Sequence, residues 1–126
     1  MFDDVYGVIG HGPLIHRVEA GKPGVAVPCV LEQIVRPMDE HEILGRFRRL
    51  GLRHARYEEL LGFAAQYPDI QRGVYIVGLG STVANGKHVY VPCLWGNSKT
   101  RGLKLVQCDK ISFDVEYWFL GVRMDA

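Results

Sequence analysis

The spacing of apolar residues changes twice along this chain, and each change marks a different kind of element. Up to residue 35 the apolar positions form short runs cut by turn-forming residues. Residues 5–9 and 14–18 flank Gly10-His11-Gly12-Pro13, which predicts a small N-terminal hairpin, and a third strand over 25–35 follows the turn Gly21-Lys22-Pro23-Gly24. Pro28 lies inside that third run and cannot donate to a ladder, so the strand is expected at an edge or with a bulge.

Between residues 39 and 66 the period lengthens to that of a helix. Asp39 and Glu42 stand at capping-box spacing, Met38 and Ile43 at that of a hydrophobic staple, and Gly51 suits the left-handed residue after a last turn. A helix from about Asp39 to Leu50 follows, with Ile43, Leu44, Phe47 and Leu50 on one stripe. A second helix is expected from about His54 to Gln66, stopped by Pro68, and so short a connection makes the pair an αα-hairpin.

From Gly73 the period is two. Asn85-Gly86 suits the positive φ angles of a type I′ hairpin turn. Centred there, the hairpin sets Ala84 opposite Lys87, Gly80 opposite Val91, Gly78 opposite Cys93 and Ile76 opposite Trp95 on one face. Val77, Leu79 and Leu94 fall on the other. Gly78 and Gly80 mark a thin place in the sheet where Trp95, a facing backbone or a ligand approaches closely, an aromatic being the expected cover. Val25-Ala26-Val27-Pro28-Cys29 echoes Val89-Tyr90-Val91-Pro92-Cys93, without a continuing repeat. Strands over 103–108 and 111–122 complete a four-strand meander.

These elements predict an α+β fold with a mostly antiparallel, curved sheet: two or three N-terminal strands, the αα-hairpin and the C-terminal meander. Trp118 joins Val77, Leu79 and Leu94 on the second face, more apolar surface than two short helices on one side would cover. The surplus calls for a cover: the N-terminal hairpin, curling of the sheet, a ligand, or a homodimer formed through that face.

Composition narrows the class without naming a function. The 126 residues, 48% hydrophobic and 23% charged, make one ordinary domain spanning 1–126. Fifteen basic residues against fourteen acidic ones leave a net charge of +1, so no global field favours nucleic acid or an anionic membrane. Cys29, Cys93 and Cys108 form no close pair and read as free thiols of a reducing compartment. With an acidic start and no apolar run of about 20 residues, the expectation is a cytoplasmic protein.

Two segments carry candidate binding chemistry. The connection Trp95-Gly96-Asn97-Ser98-Lys99-Thr100-Arg101-Gly102 offers an aromatic plane, donors and two cations, making Trp95, Asn97, Lys99 and Arg101 candidate ligand-binding residues. A plain connector has much the same composition. Arg46, Arg49, Arg53 and Arg56 form a basic cluster able to hold phosphates, although acid at the start and base at the end of a helix also complement its dipole.

No two histidines or cysteines stand at the short spacings of a zinc site, so neither a metal nor a cofactor is expected. A nucleophilic Cys93 or Cys29 activated by His88, His54 or His16 is conceivable only through the fold. The expected function is a non-enzymatic module binding a small ligand or a protein partner. One alternative is a small enzyme with a histidine/cysteine or histidine/carboxylate site. Another is nucleic-acid or phosphate binding through Arg46–Arg56, which requires those arginines to converge with Lys99 and Arg101.

Overall fold

The helix with the clearest signals forms where its caps place it. In a computed structural model, which describes residues 15–19 and 26–124, helix α1 spans Glu40–Arg49. The Asp39 carboxylate accepts the Glu42 N–H at 2.9 Å and Glu42 accepts the Asp39 N–H at 3.2 Å. Gly51 takes φ 72° beyond the last turn.

Helix α2 spans Tyr57–Gln66 and starts three residues later than the sequence pattern indicates. The intervening Leu52–His54 is a strand, β4, because Leu52 and His54 are buried while Arg53 between them is not. The helices therefore do not form the expected αα-hairpin with a bare turn. A strand of the sheet separates them, and they lie against opposite faces.

The remaining strands are β1 (Ile15–Glu19), β2 (Ala26–Gln33), β3 (Met38–Asp39), β5 (Tyr75–Val77), β6 (Val83–Asn85), β7 (His88–Gly96), β8 (Arg101–Gln107), β9 (Ser112–Phe113) and β10 (Tyr117–Arg123). The main sheet runs β1-β2-β10-β5-β7-β6, with β4 alongside β10 and β8 alongside β7. All its pairs are antiparallel except β10 with β5. The fold is thus α+β with a predominantly antiparallel sheet.

The C-terminal part is not a simple meander. The expected strand over 111–122 breaks at the exposed Asp114-Val115-Glu116, where the Tyr117 N–H turns back to the Asp114 carbonyl at 3.0 Å. β9 pairs with β3 as a separate small sheet, and β10 inserts between β2 and β5. Its composition suits an interior strand, since Trp118, Leu120 and Val122 face one core and Phe119 the other.

The β6–β7 hairpin forms one residue further along than expected. Asn85 pairs with His88, leaving Gly86 and Lys87 as the loop, and only Gly86 takes a positive φ, 67°. That pattern belongs to a type II′ turn, with glycine first. Beyond it Gly78–Ser81 bends away from the ladder, so Ile76 meets Leu94 and Val77 meets Cys93. Ile76 and Leu94 then share one core, Val77 and Cys93 the other, reversing the expected grouping.

Gly78 and Gly80 make room for backbone, not for an aromatic. A Cβ on Gly80 would lie 2.6 Å from the carbonyl oxygens of His54 and Ala55, and the Gly80 N–H bonds Ala55 at 2.9 Å.

Both prolines of the Val-Pro-Cys echo fall where a ladder is interrupted. β10 lies beside β2 from Cys29 onward, so β2 is interior and Pro28 sits just past that pairing. Pro92 lies between the stretches of β7 that β5 and β6 pair. On the N-terminal side β1 pairs with β2, whereas the strand expected over 5–9 and the turns at 10–13 and 21–24 lie outside the described residues.

Two cores result, one on each face. Leu60, Phe63 and Ala64 of α2 pack on Leu31, Ile76, Leu94 and Leu120. Ile43 and Phe47 of α1 pack on Val30, Val77, Val91 and Phe119 with Met38 and Phe113. The apolar surplus inferred from sequence is met largely by this division, one helix to a face.

Candidate functional site

Trp95 lies near the end of β7 opposite Gly102 on β8. A Cβ on Gly102 would come within 3.0 Å of three indole atoms, so the ring lies across β8 where only glycine leaves space. Tyr75 occupies the neighbouring strand and stacks on Tyr117 at 4.9 Å between centroids, with Lys104 Nζ 4.5 Å from the Tyr75 ring centre. Gly73, Val74, Tyr75, Trp95, Gly96, Asn97 and Glu116 line an open cleft of about 350 Å³.

The cleft is built on a braced loop. The buried Gln71 donates from Nε2 to the Trp95 carbonyl at 2.8 Å and to the Gly102 carbonyl at 2.9 Å. Arg72 donates to the Asn97 carbonyl at 3.0 Å, and the Gly73 N–H to Gly96 at 2.9 Å. Asn97 closes the turn on itself, its Oδ1 accepting the Lys99 and Thr100 N–H groups, both at 2.9 Å. Asn97→Ala should therefore cost about 1 kcal/mol and speed amide exchange at Lys99 and Thr100. Urea unfolding and exchange rates measure both, and unchanged exchange would show the side chain to be idle.

Of the residues that sequence singled out, Trp95 and Asn97 meet at the cleft, while Lys99 and Arg101 do not line it. Arg101 points to the other face and donates to the Ala64 carbonyl at 2.9 Å, near the end of α2. The charged residue lining the cleft is Glu116. Tyr75 and Glu116 were missed, since each begins or precedes a strand remote in sequence and carries no local signal.

The four arginines are divided between partners and faces. Arg46 pairs with Glu32 at 3.1 Å on the α1 side, and Arg53 grips the buried Glu59 through two bonds of 2.9 and 2.7 Å on the α2 side. Arg49 and Arg56 are exposed. Convergence with Lys99 and Arg101 is absent, because Arg53 and Arg56 stand at the start of α2 and Arg101 reaches its end.

No thiol is poised as a nucleophile. Cys29, Cys93 and Cys108 are free and buried, and burial pushes each up to about 12. His54 is stacked on Phe47 at 4.1 Å, neither ring nitrogen is hydrogen-bonded among the described residues, and burial lowers it to about 4. The side chain of His16 lies outside the described residues.

His88 Nδ1 stands 3.5 Å from Asp109 Oδ2, and Asp109 also accepts the Val89 N–H at 2.8 Å. Asp109 borders a second open cleft of about 520 Å³ with Glu40, His41, Cys108 and Lys110. Among the described residues no cluster of histidine, cysteine and carboxylate side chains is placed to hold a metal, and no helix is long and apolar enough to cross a membrane. Comparison with protein-family models, with curated proteins and with solved structures yields no match.

Proposed function

We propose that the chain is a non-enzymatic binding module that takes a small ligand with a flat, unsaturated ring in the Trp95 cleft. The observation that carries this reading is the indole laid across Gly102 in a cleft of about 350 Å³ that Tyr75 also lines. That volume lies at the small end of ligand pockets, suited to one or two rings. Stacking supplies affinity, while the Glu116 carboxylate favours a ligand carrying N–H donors or positive charge over an anion.

Three buried thiols, each held protonated, support the non-enzymatic side of this reading. One contact favours a second reading as a small enzyme: His88 beside Asp109 at 3.5 Å, a histidine/carboxylate pair near the larger cleft. A transformation that survives Trp95→Ala and is lost in His88→Ala would favour that alternative.

Fluorescence separates the readings, because the chain has two tryptophans and Trp118 is buried. Titration with planar amines such as adenine and aminopyridine should quench Trp95, and Trp95→Ala should weaken binding at least about tenfold, the equivalent of about 1.4 kcal/mol of stacking. Binding that persists undiminished in Trp95→Ala, or no quenching across the panel, would refute the cleft as the site.

A further inference from the structure

Independently of the cleft, strand β8 has the properties of an unfinished sheet edge. Among the described residues it has one strand neighbour, β7. The Asn97 N–H to Thr100 bond at one end of the hairpin and the Cys108 N–H to Val89 bond at the other fix the ladder's phase. Counting by twos from either end directs the backbone groups of residues 102, 104 and 106 toward β7. Those of Arg101, Leu103, Leu105 and Gln107 point outward, with no strand among the described residues to receive them.

The side chains on that edge are apolar where a solvated strand would be polar. Leu103 pairs with Leu94 and so lies on the α2 face, as does Leu105, yet no residue of β8 belongs to the core under α2. Leu103 is 38% exposed and Leu105 52%. Val83 on β6 and Tyr57 and Leu61 on α2 are also exposed. The Tyr57 N–H bonds Ser81 Oγ at 2.8 Å, which brings the start of α2 beside β6.

We infer that a second copy of this chain pairs with β8, antiparallel and about a two-fold axis, with Leu103 or Leu105 on the axis. One surface suffices for such an isologous contact, and β8 supplies both halves of it: outward backbone groups and leucines that meet their own counterparts on the same face. Outward-pointing residues must pair with outward-pointing residues, so the axis falls on a residue rather than between two. An axis through Lys104 would set two ammonium groups opposite each other at the closest cross-strand spacing, which disfavours it.

Leu103 and Leu105, with the paired backbone and the stems of Arg101 and Lys104, make a contact of no more than about 1,000 Å² in all, the floor for a specific interface. The association is accordingly reversible, at micromolar to tens-of-micromolar concentration.

Sedimentation equilibrium of the full chain up to about 200 µM tests it, well above the expected dissociation constant. The expected result is twice the chain mass, reduced to one chain in Leu103→Lys and Leu105→Lys, both with unchanged circular dichroism. Under oxidant, Leu103→Cys or Leu105→Cys should cross-link to itself, and Lys104→Cys should do so at least about tenfold more slowly.

A single-chain mass for the native protein overturns the inference. In that case free exchange of the Leu103 and Leu105 amides would mean an open edge, and protected amides an edge covered within the chain itself. A dimer indifferent to both lysine substitutions, or one cross-linked chiefly through Lys104→Cys, overturns it equally.

Discussion

Lowering the pH from about 7 to about 4 is expected to strip the protein of about 3 kcal/mol of stability through one residue, His54, and His54→Phe should abolish that loss. Burial brings the folded imidazole to about 4, below its ordinary 6.5, so the unfolded chain takes up a proton first as the pH falls. Stability from this group is complete above about 6.5, declines between 6.5 and 4, and is lost below. The cause is geometric: His54 is 9% exposed and stacked on Phe47, and among the described residues neither ring nitrogen has a hydrogen bond through which an added charge could be shared.

The carboxylates act in a lower window. Asp109, held down chiefly by the Val89 N–H, contributes stability above its ordinary 3.8 and loses it as the pH falls through its depressed folded value. Glu59 behaves likewise below 4.5: burial raises it, but the bonds from Arg53 and the Arg56 N–H outweigh burial and leave it lowered. Urea unfolding at pH 7, 6, 5 and 4.5 therefore isolates His54. Phenylalanine keeps the stack while removing two unsatisfied buried nitrogens, so the variant should also be more stable at pH 7, by about 1 kcal/mol or more. Parallel declines in the native protein and the variant would sink the assignment.

Arg53→Ala is the second large effect, an expected loss of about 3 kcal/mol, at the low end for a broken buried ion pair because Arg53 is itself 32% exposed. The Glu59 side chain, 7% exposed, would remain charged, retaining only the Arg56 N–H at 2.8 Å as a bond in place of three. Arg53→Lys should recover little, since an ammonium cannot supply the two-pronged contact. Changing both residues, Arg53→Met with Glu59→Leu, should restore most of the stability, because the stranded charge leaves with its partner. A loss under about 1 kcal/mol in Arg53→Ala by urea unfolding would show the pair to be incidental and reopen this arginine to an external anion.

What could be seen in the sequence follows the reach of the interactions involved. The α1 boundaries were legible because Asp39, Glu42 and Gly51 act within one turn of the residues they cap. The Gly86 turn was located for the same reason, but its phase slipped by one residue because either neighbour of glycine can share a two-residue loop.

β4 was illegible: three residues cannot display a period, and Leu-Arg-His is compatible with a helix until β10 draws it into the sheet. Nor could pattern reveal that the helices take opposite faces, since β10 and β5 become two-sided only once both are interior. At the cleft, Trp95 and Asn97 announced themselves in one loop, whereas Tyr75 and Glu116 reach it through parallel pairing of segments about forty residues apart.

That parallel pairing bears on how the molecule is made. β10 follows every other described element in the chain, yet it holds the centre of the sheet between β2 and β5 and supplies residues to both cores. During synthesis the earlier strands, α1 and α2 leave the ribosome with their apolar faces awaiting a keystone that is translated after them. Folding is thus a late, concerted closure with long loops to shut, slower than local hairpin formation, and a chain halted before Tyr117 emerges with two unfinished interiors, a substrate for chaperones and proteases.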